Sequence, residues 1–227
     1  MTIFAFALKR SIRSWGNLIL LLGLPIAVIL LPGGYDGYPL GFQFFGILQL
    51  FSASKLVHMI MEDRKNKMLN RIGVAPVTHA AYTAQNLLAF SLLLIAQCML
   101  VIAGGWLYHG SALGNLLQLM TVYSFFAFTA ISFSLAWCSW FRHPDASAAV
   151  MMGIISIMAM LGGTFFPIEA SPEPLQRIGK LVPTYWLHQG MELAAENGSW
   201  RELPIPLLIL ILFAAAFLLI GSRRKLN

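Results

Sequence analysis

IGVAPVTHAAYTAQNLLAFSLLLIAQCMLVIAGGWLYHGSALGNLLQLMTVYSFFAFTAISFSLAWCSWF, residues 72–141, runs for 70 positions without an Asp, Glu, Lys or Arg. A bilayer-crossing helix needs about 20 apolar residues, so this run holds two crossings. Small and polar residues at His109-Gly110-Ser111-Ala112-Leu113-Gly114 allow a tight turn between them. Outward from it lie further uncharged runs at 14–35, 37–54, 146–168 and 203–222. The chain is 58% apolar and 11% charged, with a mean hydropathy of +0.74. Soluble domains are about 45–50% apolar and about 25% charged. A soluble enzyme, a nucleic-acid module and a disordered tail are thereby excluded. The expected fold is an all-α polytopic membrane protein forming one transmembrane domain over 1–227. Its spans fall at about 16–32, 40–61, 85–107, 115–140, 146–166 and 204–221.

Charge placement sets the expected orientation. Of the 15 Lys and Arg residues, 12 fall at the N-terminus, around the second-to-third connection, after the fourth span and at the C-terminus. Only Arg177, Lys180 and Arg201 lie opposite. Basic residues mark the cytoplasmic side. The expectation is therefore a multi-pass protein of the cell (inner or plasma) membrane with both termini cytoplasmic, its basic charge meeting lipid and no nucleic acid. Residues 2–15 mix Phe4, Phe6, Leu8 and Ile12 with Lys9, Arg10 and Arg13, which suits an interfacial helix; a frayed basic tail is the alternative. Trp15–Leu31 continues without a small-residue cleavage pattern, so no cleavable signal peptide is expected. Pro25 falls midway in the first span, where a proline can kink a membrane helix.

Catalysis needs a clustered nucleophile, base or metal-ligand set. The five histidines are scattered, and no Gly-x-x-x-x-Gly-Lys-Ser/Thr occurs in the sequence. No catalytic, cofactor or metal residue is therefore expected, and any ATP would be bound by another chain. Cys98 and Cys138 read as buried small hydrophobes. Polar residues inside spans are where function is sought. Gln43, Gln49, Ser52, Lys55 and His58 stand out in the second span, and Lys55, His58 and Glu62 share one helical face, a polar seam facing a cargo path or a partner subunit. The competing reading has Lys55 snorkelling to the headgroups. Thr121, Ser132 and Ser139 in the fourth span read as interhelical hydrogen-bonding residues or a binding site. Ala149-x-x-x-Gly153 reads as a small-residue helix contact. Phe126, Phe133, Trp137 and Trp140 read as lipid-facing or packing residues.

Two connections carry more. Residues 62–84 begin charged, then present Met68, Leu69 and Ile72 on one side of a short amphipathic helix, which Pro76 ends. Such a helix suits a groove on a soluble partner. The other is the outer loop, 167–203. It follows Gly162-Gly163-Thr164-Phe165-Phe166-Pro167, carries Leu175, Ile178 and Leu181 at helical spacing, and predicts a helix from Thr184 to Asn197-Gly198. Its apolar content points to a re-entrant segment covered by protein.

These stretches resemble the permease subunits of the type-2 ABC exporter family, and the resemblance covers essentially the whole chain. Glu62, Asp63, Arg64, Leu69, Arg71 and Pro76 answer to the family's charged loop and short helix. Gly163, Phe165, Phe166, Pro167, Pro172, Pro174, Pro183 and Tyr185 answer to its outer motif. Asn66 stands at the usual glycine and Val182 at a usual Asn. The resemblance implies that Glu62, Arg64, Met68, Leu69, Arg71, Ile72 and Pro76 form the coupling surface for a separate ABC ATPase. Gln49, Ser52, Lys55, Gly163, Phe165, Phe166, Pro167 and Tyr185 become the candidate cargo path or gate. It further implies two ATPase subunits, which would hold ATP and Mg, and a second permease, the same or homologous. With the short outer connection 33–39, the expected cargo is a hydrophobic or amphiphilic drug, antibiotic, peptide or lipid. An ATP-independent six-span channel or carrier is the alternative, although such carriers usually place acidic residues at the midplane. No Asp or Glu falls inside the spans as drawn.

Overall fold

Uninterrupted apolar sequence cannot leave backbone amides unpaired in lipid, so it folds as helix. The computed structural model describes residues 3–31, 38–65, 79–141, 143–165, 168, 172–196 and 198–223. Its elements in order are α1 (Ile3–Arg13), α2 (Trp15–Leu30), α3 (Leu40–Lys65), α4 (His79–His109), α5 (Leu116–Trp140), α6 (Pro144–Leu161), α7 (Glu173–Gly179), α8 (Pro183–Ala195) and α9 (Pro204–Arg223). There is no strand among the described residues. Among the described residues, five helices are long and apolar enough to cross a membrane, and six if α1 and α2, bent by 79° at Ser14, count as one span.

The long helices overrun the apolar runs. α3 continues through Glu62 and Asp63 to Lys65, and α4 starts at His79. The acidic residues expected outside the second span therefore sit in its last turn. In α2, a π-helical turn at Ile19–Gly23 directly precedes Pro25. Proline lacks an N–H and crowds the carbonyl four residues back; a locally wider turn accommodates both defects.

α5 is the central helix. Of its apolar stretch 72% is buried, against 17% for α9, which lies at the periphery. Phe126, Phe133 and Trp137 are packing residues, whereas Trp140 is exposed. The polar residues of α5 differ from expectation. Thr121, Ser132 and Ser139 return their hydroxyl hydrogens to Leu117, Phe128 and Ala136 of their own helix. A short hydroxyl side chain reaches the carbonyl one turn back more easily than a neighbouring helix. Interhelical bonds come instead from Thr129, which donates to the Leu210 carbonyl at 3.0 Å, from Tyr123, which donates to the Phe42 carbonyl at 2.7 Å, and from Trp137 Nε1, which donates to the Ser147 carbonyl at 3.2 Å. Both cysteines are buried.

Candidate functional site

Two assemblies stand at opposite ends of the bundle. At the basic end, α1 lies across α3 and α4. Arg10 Nη1 donates to both oxygens of Asp63, at 2.7 and 2.8 Å, and Nη2 to the Met59 carbonyl at 3.1 Å. Tyr82 donates its hydroxyl hydrogen to Asp63 Oδ2 at 2.7 Å. Asp63 as a whole is only 6% exposed. Burying it is costly unless charge and lone pairs are both answered, and Arg10 and Tyr82 answer both. One acidic side chain thus ties α1, α3 and α4 together. Phe4 N–H adds a bond to Gln85 Oε1 at 3.2 Å. α2 is stitched along α4 by Gln97 Nε2 to the Leu20 carbonyl and by His109 Nε2 beside the Ile29 carbonyl.

The coupling residues divide at this point. Glu62 is exposed in the last turn of α3, with Oε1 3.8 Å from His58 Nε2. Arg64 belongs to the same turn, but its side chain is outside the described set. Met68, Leu69, Arg71, Ile72 and Pro76 lie outside the described residues, which resume at His79.

Among the described residues, the second-span path candidates do not share one surface. Gln49 is fully buried; its Nε2 donates to Cys98 Sγ and to the Tyr123 carbonyl, both at 3.1 Å. Ser52 is buried against Gln97, 3.5 Å away. These two fasten α3 to its neighbours. Lys55 is exposed and borders a cavity of about 280 Å³ under α1.

At the other end, α7 and α8 form the outer segment. Pro174 and Pro183 each occupy the first turn, where a missing N–H costs nothing. α8 buries Thr184, Tyr185, Leu187, Met191 and Ala194. It settles by close approach. A Cβ at Gly46 would meet Leu187, one at Gly190 would meet Val122, and one at Gly162 would meet Thr184. Hydrogen bonds complete the seating: Thr184 to the Met158 carbonyl, Asn115 N–H to the Ala194 carbonyl at 2.8 Å, and Gln118 to the Gly198 carbonyl at 2.9 Å. Gly163 has φ +85°, a left-handed conformation that glycine adopts without strain. Phe165 is half-exposed and stacks edge-on with Phe44 at 5.5 Å. Phe166 and Pro167 are outside the described residues, whereas Tyr185 is buried.

The Arg10–Asp63–Tyr82 cluster was missed from sequence as a unit. Its visible signal was a basic residue and an acidic residue at the same ends of two apolar runs; Tyr82 gave none.

Apolar crossings around a central helix, an interfacial helix and a re-entrant outer segment define a polytopic helical membrane protein. Residues 32–223 match the family described as ABC-2 family transporter protein, and the chain belongs to that family. It is thus a membrane protein of a transporter family. The linearmycin resistance permease protein LnrN of Bacillus subtilis (strain 168) is 27% identical over 141 residues, 62% of this chain and 36% of that protein. The putative transport permease YvfS of the same organism is 30% identical over 88 residues, 37% of this chain and 34% of that protein. The matches therefore span about a third of each relative's length.

Proposed function

We propose that the chain is the membrane half of an ATP-driven exporter, working with two separate ABC ATPase subunits and a second permease, the same or homologous. ATP and Mg belong to the partner subunits in this reading. The basic end, with both termini, faces the cytoplasm of a cell membrane. The cargo is a hydrophobic or amphiphilic molecule of the drug, antibiotic, peptide or lipid kind; the linearmycin resistance relative favours an antibiotic.

The observation that carries the mechanism is the three-way contact at Asp63. The connection 66–78 joins α3 to α4, and Asp63 and Tyr82 stand near its two ends. A push on that connection reaches both helices, and Arg10 passes it to α1. Bistable packed elements convert such small displacements into larger rearrangements. At the far end, the outer segment serves as the gate, with Gly162 and Gly163 absorbing backbone change and Phe165, Phe166, Pro167 and Tyr185 around it.

Within the connection, Met68, Leu69 and Ile72 fill a groove on the ATPase, while Glu62, Arg64 and Arg71 orient it and Pro76 ends the helix. Exposed ion pairs contribute only about 0–1 kcal/mol each, whereas an unpaired charge buried at an interface costs about 3–5 kcal/mol. Leu69→Asp is therefore expected to leave the protein in the membrane but abolish capture of the ATPase and export together. Arg64→Ala weakens both in part. The check is co-purification of the ATPase with each variant, beside an export assay. Undiminished capture and export by a well-expressed Leu69→Asp protein would refute the coupling role.

A further inference from the structure

The wide turn in α2 leaves one main-chain acceptor without a donor from its own helix. Leu24 N–H reaches back five residues to the Ile19 carbonyl, whereas ordinary α-helical pitch would aim it at Leu20. The next donor in that five-residue pattern would be residue 25 reaching Leu20, and residue 25 is a proline with no N–H. A carbonyl left unpaired in a membrane helix is costly and must be answered from elsewhere. Gln97 of α4 answers it: Nε2 donates to the Leu20 carbonyl at 2.9 Å. The Gln97 side chain is buried, and its own Oε1 accepts no hydrogen bond. Turning the amide over would set oxygen against oxygen, so the carbonyl dictates its orientation.

The turn joins two halves with different anchors. Before it, Asn17 donates to Met59 Sδ of α3 at 3.1 Å, and α1 leads on to the Arg10–Asp63 pair. After it, Val28 and Ile29 fill the space left by Gly41 of α3 and Gly104 of α4, and His109 Nε2 stands 2.8 Å from the Ile29 carbonyl. Within the turn itself only Leu21 is buried. Ile19 and Leu22 are exposed, and a Cβ at Gly23 would meet only Ile19 of its own helix. Packing is thus lightest where the main-chain ladder is interrupted, and the Gln97 bond spans the interruption.

We propose that Gln97 stands in for the N–H that Pro25 lacks and so latches a joint in α2, about which the basic-end half, with α1, changes angle against the outer half. With the bond made, the Leu20 carbonyl is satisfied and the two halves hold one angle. With it broken, no main-chain donor takes its place and the angle is released. Hinges of this kind absorb backbone change at a few residues. The joint goes beyond the exporter reading and requires neither an ATPase nor a cargo, so either can fail without the other.

The test follows the full chain in detergent, spin-labelled at cysteines introduced for Trp15 and Leu30. These positions are exposed on the two halves and about 22 Å apart along the helix; both native cysteines are buried. The distance between the labels should be narrowly distributed in this parent and broadened, or divided in two, by Gln97→Met. Pro25→Ala returns a main-chain N–H to the Leu20 carbonyl, so Gln97→Met in that background should keep the narrow distribution. Unfolding midpoints should repeat the pattern. Gln97→Met lowers the midpoint by about 5 °C when Pro25 is present, as loss of a buried hydrogen bond does in a chain of this size, and by less than half as much in the Pro25→Ala background. Gln49→Met is the control: it removes a buried amide bonded to the Tyr123 carbonyl of α5, and its loss should be equal in both backgrounds. If Gln97→Met alone does not fold, its combination with Pro25→Ala should. Four outcomes overturn the proposal: an unchanged distance distribution in Gln97→Met, equal losses from Gln97→Met in both backgrounds, equal rescue of Gln49→Met by Pro25→Ala, or a double variant that fails to fold as well.

Discussion

The two ends of the bundle hold their peripheral helices by different physics. At the basic end, α1 is fixed through one carboxylate that accepts from an arginine and a tyrosine. At the outer end, α8 is seated by glycines that permit close approach and by neutral bonds to main-chain carbonyls. A charge cluster concentrates its holding energy in few atoms, and losing one partner strands the others. A steric seat spreads it over many contacts and fails when something is added. The first arrangement is vulnerable to subtraction, the second to intrusion.

The largest expected effect is an intrusion. Gly114 has φ +67°, and a Cβ there would meet the carbonyl oxygens of Ala194 and Ala195 at 2.3 and 2.5 Å. Gly114→Ala combines left-handed strain of about 1–2 kcal/mol with an overpacking cost of about 1–3 kcal/mol. It should lower the detergent unfolding midpoint most and make the 172–196 segment the first cut by protease. A wild-type midpoint and cleavage pattern would show that the seat yields without cost.

Subtraction at the clamp comes next. Asp63→Ala leaves the Arg10 charge and the Tyr82 hydroxyl without an acceptor. A fully buried pair loses about 3–5 kcal/mol when one partner goes. The Arg10 side chain is 30% exposed, so roughly 2–3 kcal/mol is the expected loss. Asp63→Asn, which keeps an acceptor for Tyr82, should lose less. A double-mutant cycle with Arg10→Met measures the coupling; additivity within error would mean that the two side chains do not hold one another.

The smallest effect is a subtraction from the seat. Thr184→Val removes one neutral hydrogen bond to the Met158 carbonyl, a net contribution of about 1 kcal/mol. Its unfolding should be insensitive to salt. A loss as large as that of Asp63→Ala would remove the distinction between the two ends.

Fold class was legible because apolar runs admit one solution in lipid. The second helix of the outer segment was legible too, since Pro183 states its start; the spacing of Leu175, Ile178 and Leu181 made no buried face, for Leu181 lies beyond α7 and both it and Ile178 are exposed. Other features depend on geometry that sequence does not encode locally. Arg10 and Asp63 are 53 positions apart, and nothing near either names the other. Thr121, Ser132 and Ser139 share a face in sequence, yet their hydroxyls turn back on their own helix. Gln49 and Ser52 read as candidate lining and sit in the interior against Cys98, Tyr123 and Gln97. Their polarity was visible, but the direction in which α3 turns them was not. The central part of the coupling connection lies outside the described residues.

The wide turn at Ile19–Gly23 has a consequence for length. A π-helical turn holds one residue more than the α-helical turn it replaces. α2 therefore carries a spare residue, much as a belt carries an unused hole. Deleting one of Leu20–Leu22 would let the helix close to ordinary pitch without breaking it. Because the wide turn absorbs that residue locally, the portions before and after the deletion would keep their faces, with Trp15 exposed and Asn17 against Met59. The same deletion in the ordinary α-helical part of α2 would rotate one portion by about 100° against the other. Only at this turn can α2 lose a residue without re-aiming the N-terminal arm.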